Sequence, residues 1–536
     1  GAGTLGGLAA ATTLSGCQSP DSAAAVPPGE LADEGLSAGH RLRDTAPPDE
    51  SQVEEWRDVD VLIVGGGIAG LSAAWRLTRL GRDDFAVLEL GQDPGGTARS
   101  GRFGELAFPW GAHYLPAPQA SNGRLVELLE EMKVVIGRDK FGEPIVDEEC
   151  LCREPQERLF YQGKWHDDLE PWDGAEPAER RQWDEFQAEA RRWAEWRDAT
   201  GRPAFALPIA TCSDAPEVRE LDRVSMAEWL DARGWNSPRV RWLIEYACRD
   251  DYGAKLDRTS AWAGLFYFAS RLANSAAAAQ PLITWPEGNG RIIAHLASVA
   301  GKRLHVARVA RRITRDSSSD RYRIICERSS GGGGEYEGWR ARRVIWAAPQ
   351  FIAARVIDGY GESRGGLPAE FHYGSWLVAN LLLRDRPREH DAPLSWDNVL
   401  YDSPSLGYVT ATHQRGIDHG RTVLTYYHAL CGDDPVAVRR QLLSMSREEA
   451  AESVLADLAT AHPDIRGLVE RIDVLRWGHA MIQPRPGFIW GDARQRAAQP
   501  LGGIHFAHTE LSGVALLEEA FFHGVRAAEE CLANRS

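Results

Sequence analysis

Gly65, Gly67 and Gly70 hold the first, third and sixth places of a G-x-G-x-x-G turn in the segment DVLIVGGGIAGLSAAWRLTRLG. Residues of these types at this spacing cradle a pyrophosphate. Gly65 permits the tight turn, Gly67 lets the backbone approach the phosphates, and Gly70 lets the following helix pack close to the strand before it. Gly66, Ile68 and Ala69 complete the turn and the first helical residues, whose free N–H groups and dipole favour an anion. Glu89 follows 19 residues after Gly70, the place from which a carboxylate accepts hydrogen bonds from ribose hydroxyls.

The elements that must position these residues are legible around them. The apolar run at 61–64 reads as a strand, 71–80 as a small-residue helix stopped by Gly81, and 85–90 as a second strand ending at the acid. Strand, turn, helix, strand and acid form a dinucleotide-binding βαβ unit, which by itself serves NAD and FAD alike.

The chain has 536 residues, too many for one core, so two or more domains are expected. Its formal net charge of −16 argues against nucleic acid as a partner, because phosphate binding needs clustered cations. No apolar run reaches about 18 residues, so no membrane-spanning helix is expected. The first 17 residues, GAGTLGGLAAATTLSGC, resemble the end of a bacterial lipoprotein signal of the twin-arginine export type, with lipid added at Cys17. On that reading the protein is exported and lipid-anchored at the periplasmic face, and membrane contact is through that anchor alone. Residues 18–56, rich in Ala, Pro, Ser and acids, read as a flexible linker. Eight cysteines less Cys17 leave an odd number, so full disulfide pairing is excluded, and no spacing fits a metal site.

Further along, a doublet Gly95-Gly96 precedes Thr97 and Arg99, and FPWGAHYLP follows at 108–116. Residues 120–280 read as mostly helical. Strands are expected at 304–309, 322–328 and 343–347, with a Ser-Gly tip at 329–334 joining two of them as a hairpin. Strands at 376–383 and 422–428, helices at 439–443 and 450–461, and a closing strand at 504–507 with a helix at 516–532 complete the reading.

Four of these pieces together resemble the flavin-containing amine oxidoreductase superfamily of amine oxidases, protoporphyrinogen oxidase and phytoene-type desaturases. They are the glycine turn with Glu89, the Gly95-Gly96 doublet, the strand carrying Val309, and FAHTELSGVALLEEAFFHGVRAAEE at 506–530. The doublet and the carboxy-terminal box are absent from plain nicotinamide enzymes, so the resemblance implies FAD. It further implies an α/β fold, a Rossmann-like FAD-binding domain of parallel sheet plus β-meander with a discontinuous α+β substrate domain. After the signal remnant and linker, the FAD-binding parts are expected at 57–118, 282–350 and 471–536, and the substrate parts at 119–281 and 351–470.

By the same resemblance, cofactor contacts fall on Gly65, Gly66, Gly67, Ile68, Ala69, Gly70, Glu89, Gly95, Gly96, Thr97, Arg99, Ala112, His113, Val309, His508, Glu510, Glu519 and Ala520. Trp477 matches the family's tryptophan beside the flavin, and with His113 and Asn380, the latter as a water holder, it is a candidate catalytic residue. No Cys lies between Trp477 and Phe506, so the flavin is expected to be non-covalent. The chain departs from the family where His508 replaces Gly, where Thr97 follows the doublet, where Val378 stands at the lysine of amine oxidases, and where Leu516 stands at a cage tyrosine. The expected function is an FAD-dependent oxidoreductase taking hydride from a C–N or C–C bond of a small amine or apolar molecule, with oxygen or a redox partner as acceptor. The alternatives are a flavin-binding electron-transfer lipoprotein without turnover and an NAD(P)-dependent dehydrogenase.

Overall fold

The computed structural model describes residues 26–270, 280–329 and 334–533. The Cys17 lipidation site and residues 330–333 of the expected hairpin tip lie outside them. The elements that frame the site begin with α1 (Glu34–Asp44), β1 (Val53–Val64), α2 (Ile68–Arg79) and β2 (Phe85–Leu88). They continue with β3 (Glu157–Tyr161), β4 (Lys164–Asp167), α3 (Pro238–Tyr252), β5 (Leu304–His305), β6 (Arg308–Arg315), β7 (Tyr322–Arg328) and β8 (Tyr336–Trp346). The rest are β9 (Tyr373–Leu383), β10 (Asp397–Leu400), β11 (Tyr408–Thr410), β12 (Thr422–Leu430), α4 (Pro435–Ser444), β13 (Val469–Ile482), β14 (Ile504–Phe506) and α5 (Leu517–Ala533).

Two seven-stranded sheets carry the structure. The first runs β5-β2-β1-β8-β7-β6, with β14 also paired to β8. Its β5, β2, β1, β8 and β14 pairings are parallel, and the meander β6-β7-β8 is antiparallel. Val61 to Val64 are buried on both faces, which is why this strand reads as a continuous apolar run. Helix α2 stops as its sequence demands: Gly81 has φ 66°, its N–H bonds the carbonyl of Thr78, and that of Arg82 bonds Leu77, a Schellman turn.

Helix α5 packs across α2 with almost no gap. A Cβ on Gly524 would lie 2.1 Å from the carbonyl oxygen of Ala69, so only glycine permits this approach. The contact fixes the carboxy-terminal box against the phosphate turn although they lie at opposite ends of the sequence.

The second sheet runs β13-β9-β12-β11-β10-β3-β4. Two expectations change here. Residues 120–280 are helical at 123–131 and again from 177 on, and β3 and β4 between those helices join this sheet because their alternating residues match its register, with Glu157 opposite Asp397. Nor is the stretch 26–56 a loose linker. It contributes α1 and the first four residues of β1 and is held by hydrogen bonds to both sheets. Among the described residues no helix is long and apolar enough to cross a membrane, and the seven described cysteines are unpaired.

Candidate active site

The glycine turn opens on a trench of about 360 Å³. Its floor is Gly65, Gly66, Gly67, Ile68 and Ala69, its walls carry Glu89, Gly95, Gly96, Thr97, Ala112 and Val309, and His508 and Ala520 of the carboxy-terminal box line it too. One continuous cavity therefore joins the motifs.

The glycines divide by role. A Cβ on Gly70 would sit 1.8 Å from the carbonyl oxygen of Gly65, and one on Gly66 would sit 2.8 Å from a Glu89 oxygen, so both serve packing. Gly67 is different: the nearest atom to a Cβ there is the Gly95 oxygen at 4.0 Å. Gly67 and Gly96 lie side by side, a Cβ on Gly96 reaching 3.8 Å from the Gly67 Cα, and both line the trench. Helix α2 starts at Gly67 without a side-chain cap and without an acid in its first turn, so its leading amides point to whatever fills the trench. An uncapped helix end over a glycine cradle suits a pyrophosphate. Glu89 accepts N–H bonds from Gly66 (2.8 Å) and Gly91 (2.7 Å), and each oxygen keeps a lone pair for a ribose hydroxyl; burial raises its pKa.

Trp477, on β13, is shared by this trench and two neighbouring cavities. Its indole N–H bonds the carbonyl of Trp110 at 2.7 Å, and the Arg99 guanidinium lies 5.4 Å from its ring centroid. The first neighbour, about 630 Å³, is rimmed by arginines. The second, about 150 Å³, is walled by Trp376 and Tyr427, with His113 stacked on Tyr427 at 4.7 Å, and Asp250, Asp251, Asp397 and Glu518 also line it.

Comparison with known proteins agrees with this layout. The profile of the family described as "Flavin containing amine oxidoreductase" matches residues 68–532. The chain belongs to that family. No curated protein matches it. Among solved structures, putrescine oxidase bound to putrescine is similar at 18% identity with a TM-score of 0.65, over 89% of this chain and 100% of that one. Cyclohexylamine oxidase from Brevibacterium oxydans gives 17% and 0.60 over 89% and 99%. A CLA-producing fatty acid isomerase from P. acnes gives 15% and 0.62 over 89% and 99%. The protein is an FAD-dependent oxidoreductase, and the trench is where the residues of this fold fit the flavin dinucleotide.

Within the family frame several expected site residues move. Asn380 is fully buried in β9 and lines neither the trench nor the two neighbouring cavities: its amide donates to the Pro109 carbonyl (3.2 Å) and its oxygen accepts from Thr425 (2.7 Å), bracing the loop before His113. Val378, two residues earlier on the same face, lines the small cavity, as does Leu516. Arg99 faces the larger cavity and donates to the Ala32 carbonyl. Glu519 is turned from the trench toward the helical region, accepting from the Ile209 amide (2.7 Å) and the Ser512 hydroxyl.

Glu510 also sits behind the trench, accepting from the Gln350 amide (2.7 Å) and the Tyr373 hydroxyl. Full burial pushes its pKa up from 4.5 to about 8. The folded chain therefore keeps a proton that the unfolded chain releases, and Glu510 makes stability fall as pH rises from 4.5 to 8, by at most about 1.4 kcal/mol per pH unit. Glu510→Gln is expected to flatten this loss, read as urea midpoints at pH 5 and 8.

His113 and His508 are both neutral, each lowered to about 4 by burial. The Gly111 carbonyl accepts from His113 Nδ1 (3.2 Å) and from the Tyr427 hydroxyl (2.8 Å), which leaves His113 Nε2 as an acceptor.

The acids of the small cavity were not found from sequence. Asp397 takes the Tyr246 hydroxyl at 3.1 Å, and Tyr246 and Asp250 stand one turn apart on α3. Burial, then the charges of Asp250 and Glu157, hold the Asp397 pKa well above its usual 3.8. The one available signal was Trp376, two residues before Val378 and therefore on its face of the strand.

Proposed function

We propose that this flavoenzyme oxidises a small cationic amine at the C–H next to nitrogen, in the cavity that Trp477 joins to the cofactor trench. The observation that carries the reading is the group of carboxylates, Asp250, Asp397 and Glu518, in an aromatic-walled cavity of about 150 Å³. Asp397, whose pKa burial and then the charges of Asp250 and Glu157 raise, is the acid that an entering ammonium group relieves. The amine oxidase neighbours support the same direction.

Bound FAD, held without a covalent link, supplies the two-electron acceptor for the substrate C–H bond. The chain's own residues do the rest. Asp397 and Asp250 draw the ammonium in and take part in removing its extra proton, since only the neutral amine releases a hydride. Neutral His113 accepts a hydrogen bond from the amine through Nε2 and cannot repel it. Trp376, Tyr427 and Trp477 exclude water and fix the C–H direction. Reoxidation by oxygen or a redox partner, export, and anchoring through Cys17 belong to the same proposal.

The aliphatic Val378 and Leu516 favour a second reading, C–C dehydrogenation of an apolar molecule. Anaerobic mixing with alkylamines, diamines and matched alcohols or fatty acids separates the two. Bleaching of the visible flavin band by an amine alone is expected. Bleaching by a fatty acid and by no amine would reverse the assignment.

A further inference from the structure

Residues 28–46 lie outside the stretch matched by the family profile, yet they cross the cofactor trench from one end to the other. Residues 28–32 run along the free edge of β13 and form one isolated parallel bridge there, Leu31 to Val474. The Ala32 amide bonds the Val474 carbonyl (2.8 Å), and the Ile472 and Val474 amides bond Pro28 and Glu30 (both 2.9 Å). Gly29 is required there, because a Cβ would lie 1.9 Å from the Ile472 carbonyl oxygen. Asp33 then forms a paired contact with Arg476, with an Nε to Oδ2 distance of 2.7 Å and both side chains 11% exposed. Arg476 directly precedes Trp477.

Helix α1 follows. Gly39 and Leu42 line the trench itself, and Gly35, Leu36, His40 and Arg43 line the arginine-rimmed cavity beside it. At its far end Arg41 pairs with Glu327 (2.9 Å), and Arg311 ties Glu327 to Thr45 and to the Ala46 carbonyl (3.2 Å). Glu327 is the strand partner of Val309, at the opposite end of the trench from Trp477.

We propose that residues 28–46 are an integral part of the cofactor site: a strap over the trench that retains the flavin dinucleotide, latched by Asp33–Arg476 at the Trp477 end and by Arg41–Glu327–Arg311 at the Val309 end. The strap's own contribution to the trench wall is small and apolar, Gly39 and Leu42. A flavin held without a covalent bond leaves through this side once the strap lifts. The inference rests on the flavin reading of the trench.

The test is flavin release from the purified, full-length holoprotein, followed by the rise of flavin fluorescence after dilution. Asp33→Ala opens the latch and is expected to speed release at least tenfold. Gly39→Trp is the second variant. No atom lies within 4 Å of a Cβ at Gly39, so the indole enters open space, leaves the melting of the cofactor-free protein unchanged and lowers flavin content. Hydrogen exchange in the wild type is expected to slow across 34–44 when flavin is added. Release within twofold of wild type in both variants, or exchange at 34–44 indifferent to flavin, overturns the strap alone. A wild-type chain that takes up no flavin overturns the cofactor reading and the strap with it.

Discussion

Replacing Gly67 by valine is expected to give a folded, colourless protein. The position has φ −78° and ψ −175°, which a β-branched residue adopts readily, and the nearest atom to its Cβ is 4.0 Å away. The loss of a glycine at the start of α2 costs up to about 1 kcal/mol, too little to unfold a domain of this size. What the two methyl groups occupy is the open space over the cradle, beside Gly96, on which a Cβ would lie 3.8 Å from the Gly67 Cα. A pyrophosphate pushed away from the leading amides of α2 loses several charge-assisted hydrogen bonds, and flavin affinity is expected to fall at least 100-fold, about 2.7 kcal/mol. Equilibrium titration of the cofactor-free variant with FAD measures it. A yellow protein with wild-type affinity would mean that the trench does not hold the phosphates. Gly70, by contrast, touches the Gly65 carbonyl rather than the trench, so a change there tests packing and says nothing about the ligand.

The parts of the site made of backbone were legible, and those made of side chains from several elements were not. Gly65 to Gly70, Glu89, the doublet and the carboxy-terminal box announce themselves because a dinucleotide needs bare main chain at fixed spacing, and spacing is what a sequence records. Val309 and Ala520 came from the family resemblance, and both line the trench. Asn380 and Glu510 misled because the resemblance gave their position along a strand or loop but not what their neighbours would take from them. Pro109 and Thr425 satisfy Asn380, while Gln350 and Tyr373 satisfy Glu510. The carboxylate group was invisible because Asp250, Asp397 and Glu518 lie on α3, β10 and α5, far apart in sequence, and meet only in the folded chain. Composition also hid α1: a stretch rich in Pro, Ser and acids reads as a tether when nothing in it shows that β13 has a free edge waiting.

Asp397→Asn is expected to cost the most in turnover while leaving flavin binding untouched, since this residue lines the small cavity and not the trench. In the free enzyme burial, then the charges of Asp250 and Glu157, raise the Asp397 pKa and so favour its protonated form. An ammonium entering the cavity reverses that balance: the cation favours the carboxylate, the pKa drops, and a proton leaves as the substrate binds. On the proposed amine chemistry, kcat/KM for an alkylamine therefore rises with pH through the apparent pKa of the group, which belongs to the coupled acids together. Asparagine still accepts the Tyr246 hydroxyl but supplies no charge, so the rising limb disappears and kcat/KM falls about 100-fold, the equivalent of about 2.7 kcal/mol of transition-state stabilisation. Stability moves the other way. A carboxyl whose pKa is raised by folding loses stability as pH rises above its unfolded value, and the amide does not titrate, so the variant melts higher than wild type at pH 8. A merely structural Asp397 predicts lower melting with the pH profile intact. Activity lost with the limb retained would assign proton release to another acid, and an unchanged kcat/KM would remove the cation-binding role from this cavity.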